Sequence, residues 1–187
     1  MEIILLRHTT VDNPEKKCYG ISEMQLATSF EQEGAHIKNK ISIFKPDKIY
    51  TSSSIRCIRL AEKLGSSIEI CESLMELNFG KWEGKSWDSI DKEELSCWMD
   101  NFVLHVIPNG ESYIQLFNRV QTWFNECIIS HHPDNRLLII SHAGPIRAII
   151  ASLLSINLYN SFNIKVAYGD SFRIILESDG MNCVYFK

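Results

Sequence analysis

Arg7 and His8 follow the apolar run Ile3-Ile4-Leu5-Leu6, so a strand near the start of the chain ends on a permanent cation and an imidazole. The arrangement returns at Ile139-Ile140-Ser141-His142-Ala143-Gly144: apolar strand, histidine, glycine. A guanidinium stays charged at every working pH and binds phosphate oxygens bidentately. A neutral imidazole is a nucleophile. Two strand-end histidines and an arginine at one rim of a sheet therefore make a candidate site for attack on phosphorus. Arg56 adds a cation where a Ser-rich strand end, Thr51-Ser52-Ser53-Ser54, turns into a predicted helix.

Four segments, in order and spread over nearly the whole chain, resemble the histidine phosphatase superfamily, the phosphoglycerate-mutase-like enzymes. They are Leu6-Arg7-His8-Thr9, the stretch from Tyr50 through Arg56 to Ala61, Glu76-Leu77-Asn78-Phe79-Gly80-Lys81-Trp82-Glu83-Gly84, and Ser141-His142-Ala143-Gly144. The resemblance implies a role for each matching residue. His8 attacks phosphorus and forms a phosphohistidine, with its other ring N–H held by a backbone carbonyl. Arg7 and Arg56 neutralise the transferring oxygens. His142 and the amide of Ala143, at the start of a helix, donate hydrogen bonds as charge shifts in the transition state. Glu76 protonates the leaving group and then activates water. No metal and no cofactor is required, since two arginines and two histidines supply the charge neutralisation.

Each residue also has a plainer reading. His8 alone is a satisfied histidine at a strand end, Arg56 a helix-surface arginine like Arg59, and His142 a core histidine. Only its place in the third segment singles out Glu76 from Glu72 and Glu83. His36, His105, His131 and His132 are assigned to surface or structure, and the pair before Pro133 lacks partners for a metal. The tryptophans are read as packing groups.

The elements that must position these groups are read from periodicity. Met1–Leu6, Lys48–Tyr50, Ser67–Cys71 and Leu137–Ser141 read as strands. Helices are expected from about Ser29 to Ile43, from serine caps at Ser52–Ser54 to Leu64, from Pro108 to about Ser130 with Val120, Phe124, Cys127 and Ile128 inward, and from Pro145 to Leu154. Ser171–Glu177 and Asn182–Phe186 read as a hairpin turning at Ser178-Asp179-Gly180. Residues 72–110 are expected to be an irregular insertion walling the site. Alternating strands and helices indicate a three-layer α/β/α sandwich with a mostly parallel, mixed sheet. Such sheets place sites beyond strand C-terminal ends, where His8 and His142 fall. The resemblance adds that the fold is phosphoglycerate-mutase-like.

At 187 residues the chain is read as one domain, 1–187. A net charge of −4 gives no general attraction to nucleic acid or to an anionic membrane. No apolar run approaches the roughly 20 residues of a membrane span. The N-terminus reads as a strand, not a signal peptide. The six cysteines are scattered without a C-x-x-C pair, which points to free thiols in a reducing cytoplasm. Expected partners are small phosphate monoesters, not nucleic acid or membrane; the sequence sets no oligomeric state.

Cys18-Tyr19-Gly20-Ile21-Ser22-Glu23 resembles a stretch of the alpha-ribazole phosphatases, which also accept Thr after Arg-His. That resemblance makes alpha-ribazole 5′-phosphate, a cobalamin precursor, the leading substrate. A broad sugar or small-molecule phosphatase, a phosphoglycerate mutase and a non-catalytic phospho-ligand module are the alternatives. The chain departs from the superfamily pattern at Thr9, Thr10 and Val11, has Glu23 where Asp is usual, and places Asn13 one position before a usual phosphate contact. Whether Thr9, Asn13 or Ser22 touches phosphate is left open.

Overall fold

The computed structural model describes residues 1–176 and the backbone of 182–186. Strands β1 (Glu2–Arg7), β2 (Lys48–Thr51), β3 (Ile68–Ile70), β4 (Arg136–Ser141), β5 (Ser171–Leu176) and β6 (Asn182–Phe186) form one sheet in the order β3-β2-β4-β1-β5-β6. The strands from β3 to β1 are parallel; β5 runs antiparallel to β1, and β6 antiparallel to β5. This is the mixed, mostly parallel sheet that the sequence predicts.

Side chains alternate across a strand, and that alternation builds the layers. Ile3, Leu5, Leu137 and Ile139 join a core with Leu116, Val120 and Phe124 of α4 (Tyr113–Ile129) and with Ile146, Ile149 and Ile150 of α5 (Ala143–Leu153). Ile4, Leu6, Leu138 and Ile140 join a second core with Ile37 of α1 (Phe30–Lys40) and with Cys57, Leu60 and Ala61 of α2 (Ile55–Leu64). Strands buried on both faces must read as continuous apolar runs, as β1 and β4 do.

Several expectations change, and the helix expected from Pro108 begins only at Tyr113, as α4. Helix α1 stops at Lys40 instead of reaching Ile43. Ile43 is 92% exposed, so another turn of helix would bury nothing there. Ser54 precedes α2 but its hydroxyl does not cap it. The first amide of α2, on Ile55, instead donates to the Glu23 carboxylate (3.1 and 3.2 Å), a negative charge at a helix N-terminus. Residues 72–110 hold the short helical pieces expected of an otherwise irregular stretch: 3₁₀ turns at Glu72–Leu74, Gly80–Trp82 and Trp87–Ser89, and helix α3 (Lys92–Asp100). Asp91 caps α3 by accepting from the amides of Glu93 and Glu94. The turn expected at Ser178-Asp179-Gly180, with Glu177, lies outside the described residues.

The 72–110 segment is fastened by Trp82, which is fully buried in the α4/α5 core and meets Trp98 edge-on at 5.7 Å. Replacing Trp82 with Ala is expected to lower the unfolding free energy by about 3–5 kcal/mol. The measurement is the urea midpoint at unchanged slope; a loss below about 1 kcal/mol would mean that the segment is held by other contacts.

Candidate active site

The register of the central strands pairs Arg7 with Ser141, and the amide of His8 donates to the Ser141 carbonyl at 3.1 Å. Both strands therefore end together, and the next residue of each is a histidine. The two rings meet edge-on, centroids 5.1 Å apart, and both side chains are buried. The carbonyl expected to hold His8 is that of Thr9, 2.7 Å from Nδ1. Nδ1 carries the proton in that bond, which leaves the Nε2 lone pair free. Burial, then the charges of Arg56 and Arg7, push the His8 pKa well below its ordinary value, so the ring is a neutral base.

Arg56 lies beneath this pair and is completely buried. Its Nε donates to His142 Nδ1 at 3.3 Å, and its terminal nitrogens donate to the carbonyls of Ser22 (2.9 Å) and Gly20 (2.5 Å). With Nδ1 accepting, His142 Nε2 donates to the Ser52 hydroxyl at 2.8 Å, which in turn faces the Met75 sulfur. Ser52, one of the serines expected to cap α2, is thus turned toward the site. Arg56 does not border the cavity described below, and both nitrogens of His142 already have protein partners. Ser22 enters through its carbonyl under Arg56, while Asn13 is folded onto the backbone of Lys17.

Glu76 reaches the same rim from the 72–110 segment. Its carboxylate accepts from the amides of Leu77 (3.0 Å) and Gly144 (3.1 and 3.2 Å). The first turn of α5 thus presents the Gly144 amide to Glu76, one residue beyond the Ala143 amide expected at the site; Ala143 itself is buried and does not border the cavity. A Cβ on residue 144 would stand 2.2 Å from Glu76 Oε1, so only glycine allows this approach. Arg119 of α4 fixes Glu76 from behind, donating to its carbonyl at 3.0 Å while forked onto Glu111. Glu83 gathers the amides of Gly20, Ile21, Ser22 and Phe79, tying the loop under Arg56 to the loop after Glu76.

These groups open into a cavity of about 230 Å³ bordered by Arg7, His8, Glu76 and His142. Its outer walls bring in residues that the sequence reading left out: Lys17, Tyr19, Phe79, Trp87, Arg147, Phe162 and Tyr168. Tyr168 stacks on the Arg7 guanidinium at 4.0 Å, and its hydroxyl meets that of Tyr19 at 2.5 Å. Arg147 had a readable signal, since it lies one helical turn beyond Gly144 on α5. Tyr168 had none, because the stretch between α5 and β5 has no period. Among the described residues, no group of three or more His, Cys, Asp or Glu could hold a metal ion, and no helix is long and apolar enough to cross a membrane. Cys18, Cys57, Cys71, Cys97 and Cys127 are free thiols.

The family model described as the histidine phosphatase superfamily (branch 1) matches residues 3–187. The chain belongs to this superfamily. A relative in Hydrogenobacter thermophilus, "Putative phosphoserine phosphatase 2", is 31% identical over 150 residues, 76% of this chain and 73% of that protein. The alpha-ribazole phosphatase of Shigella flexneri superposes with a TM-score of 0.88 at 22% identity, covering 100% of this chain and 95% of that one. A mycobacterial glucosyl-3-phosphoglycerate phosphatase superposes at 0.85 with 20% identity, covering 99% and 97%. At these two identities the likeness is one of fold, and it is the phosphoglycerate-mutase-like histidine phosphatase fold that the motifs imply.

Burial of His8 and His142 in this histidine phosphatase has a pH consequence. Both folded-state pKa values lie below the ordinary 6.5, so on acidification the unfolded chain takes up protons first. The stability from these rings is complete above about pH 6.5 and is lost as pH falls from there toward the folded-state values. The denaturant midpoint is expected to fall between about pH 7.5 and 5.5, and to fall less in a His8→Gln/His142→Gln variant. Equal falls in both proteins would assign the loss to other groups.

Proposed function

We propose that this chain hydrolyses small phosphate monoesters through a phosphohistidine on His8, with no metal or cofactor. The observation that carries the reading is the state of His8: neutral, Nδ1–H tied to Thr9, and Nε2 free at the floor of a cavity that also holds Arg7 and Glu76. In the first step Nε2 bonds to phosphorus, the P–O ester bond breaks, and Glu76 gives its proton to the leaving oxygen. In the second, Glu76 takes a proton from water, the hydroxide attacks phosphorus, and the N–P bond breaks to release phosphate.

Arg7 Nε is buried without a partner among the described residues, which suits a phosphate oxygen as its acceptor. Arg56 contributes its charge from below and orients His142. His142 serves the developing charge by turning Nε2 from Ser52 toward the phosphate, and the Ala143 amide, which does not border the cavity, would join it only if the first turn of α5 shifts on binding. Residues 1–187 act as one catalytic unit with 72–110 as a wall of its site.

Two substrate types have support. Alpha-ribazole 5′-phosphate is favoured by the Cys18-Tyr19-Gly20 stretch and by the aromatic lining of Tyr19, Phe79 and Trp87. Phosphoserine is favoured by the name of the 31% identical relative.

The test is phosphate release without added metal, with acid-quenched trapping of the phosphoenzyme. His8→Ala is expected to abolish both turnover and trapped phosphate while keeping the fold; near-wild-type release would sink the assignment. Glu76→Gln is expected to slow alkyl phosphates by about 10²–10⁴-fold and aryl phosphates far less, because a phenolate leaves without a proton. Equal losses on both would move the acid role elsewhere.

A further inference from the structure

We propose that Arg147 is a specificity residue that reads a carboxylate on the leaving-group side of the substrate, so that the preferred substrates are phosphate esters of small hydroxy acids. The inference rests on the phosphomonoesterase reading above and selects between its two substrate types.

Placement comes first. Arg147 stands three residues after Gly144 on α5, and helix positions three apart are neighbours on one face. Gly144 holds Glu76, the proposed proton donor to the leaving oxygen. Arg147 borders the same cavity, so its reach covers what the leaving oxygen is attached to, not the phosphorus.

Its bonding is incomplete in a particular way. Arg59, Arg119 and Arg173 each meet a glutamate. Among the described residues, Arg147 has no carboxylate oxygen within 4.0 Å. Nε donates to the Ile164 carbonyl at 3.0 Å, and the guanidinium rests over the Phe162 ring at 4.9 Å. Those two contacts fix the plane of the fork. The terminal nitrogens make no hydrogen bond among the described residues, and they are not sealed from the surface. A planar fork with two free N–H ends matches a carboxylate bidentately.

The cavity agrees in charge and size. Glu76 is its one acidic residue, against Arg7, Lys17 and Arg147. Arg7, with Arg56 beneath it, serves the phosphate end, which leaves Arg147 as a lining cation for a second anion. A volume of about 230 Å³ is below the roughly 300–1,000 Å³ of sites for drug-sized ligands, which favours a small acid over a benzimidazole nucleoside.

The plainer role, tying the 158–166 segment to α5, predicts that losing Arg147 harms all substrates alike. The experiment compares esters that differ only at the carboxylate: O-phosphoserine with O-phosphoethanolamine, and 3-phosphoglycerate with glycerol 3-phosphate. Alpha-ribazole 5′-phosphate and an aryl phosphate are run beside them. In the wild-type protein the carboxylated member of each pair is expected to have a kcat/KM about 10- to 100-fold higher. That ratio should fall toward 1 in Arg147→Met and recover in part in Arg147→Lys. Because it is internal to each variant, partial misfolding does not move it. An unchanged ratio in Arg147→Met, no preference in the wild type, or a preference for alpha-ribazole 5′-phosphate would each overturn the inference. Aryl phosphate hydrolysis with no carboxylate preference would overturn it while leaving the phosphatase reading intact; no hydrolysis of any ester would overturn both.

Discussion

A completely buried guanidinium with no carboxylate partner among the described residues is the constraint on which the site depends. An isolated charge is costly to take out of water unless its donors are all answered. Arg56 is answered by two backbone carbonyls, Gly20 and Ser22, and by a ring nitrogen of His142. None of these neutralises it. Burial pushes the pKa of both histidines well below the ordinary value, and the positive charge of Arg56 adds to that shift. A protonated His8 would have no lone pair for phosphorus. In the proposed reaction the buried charge thus helps to keep His8 available as the nucleophile.

The arrangement holds only if the carbonyls stay in place, and they belong to a loop with little regular structure. Glu83 supplies what packing does not, by accepting from three consecutive amides of that loop and from Phe79 beyond Glu76. Gly20 is required at the contact, since a Cβ there would stand 1.7 Å from the Leu77 carbonyl. Arg119 does for Glu76 what Glu83 does for the loop, holding its backbone from α4. Glu83, bonded to four backbone amides, and Arg119, bonded to two backbone carbonyls and to Glu111, give these irregular segments fixed positions, as the proposed reaction requires. It follows that the 72–110 segment tolerates 3₁₀ turns and loops where a site would ordinarily be built on regular elements.

What the sequence revealed followed the range of each signal. β1 and β4 were legible because strands buried on both faces leave no polar alternation, and His8 and His142 were legible because each ends such a run. Glu76 was found through its motif alone, since nothing local separates it from Glu72 or Glu83. Ser52 and Ser54 were misread because an N-cap is a local preference that tertiary partners override; Ser52 faces His142 and Ser54 faces Met75. The role of Glu23 at the start of α2 joins residues 32 positions apart, and no pattern in a window reports that. Tyr168 and Phe162 sit in a stretch without period, so their place at the cavity is a property of the fold only.

The Arg7 side shows how such a site can prefer a doubly charged phosphate over a neutral ligand of the same size. Tyr168 covers one face of the guanidinium, the Val166 carbonyl takes one N–H at 2.6 Å, and Nε is buried with no acceptor among the described residues. A buried donor without a partner destabilises the free protein by about 1–3 kcal/mol. In the proposed reaction a phosphate oxygen supplies the missing acceptor, and that penalty disappears on binding. A ligand without an oxygen there leaves it in force. The discrimination therefore comes as much from the unsatisfied free state as from attraction in the bound one, and the stack and the carbonyl that fix Arg7 are what prevent the side chain from relieving it by turning toward water.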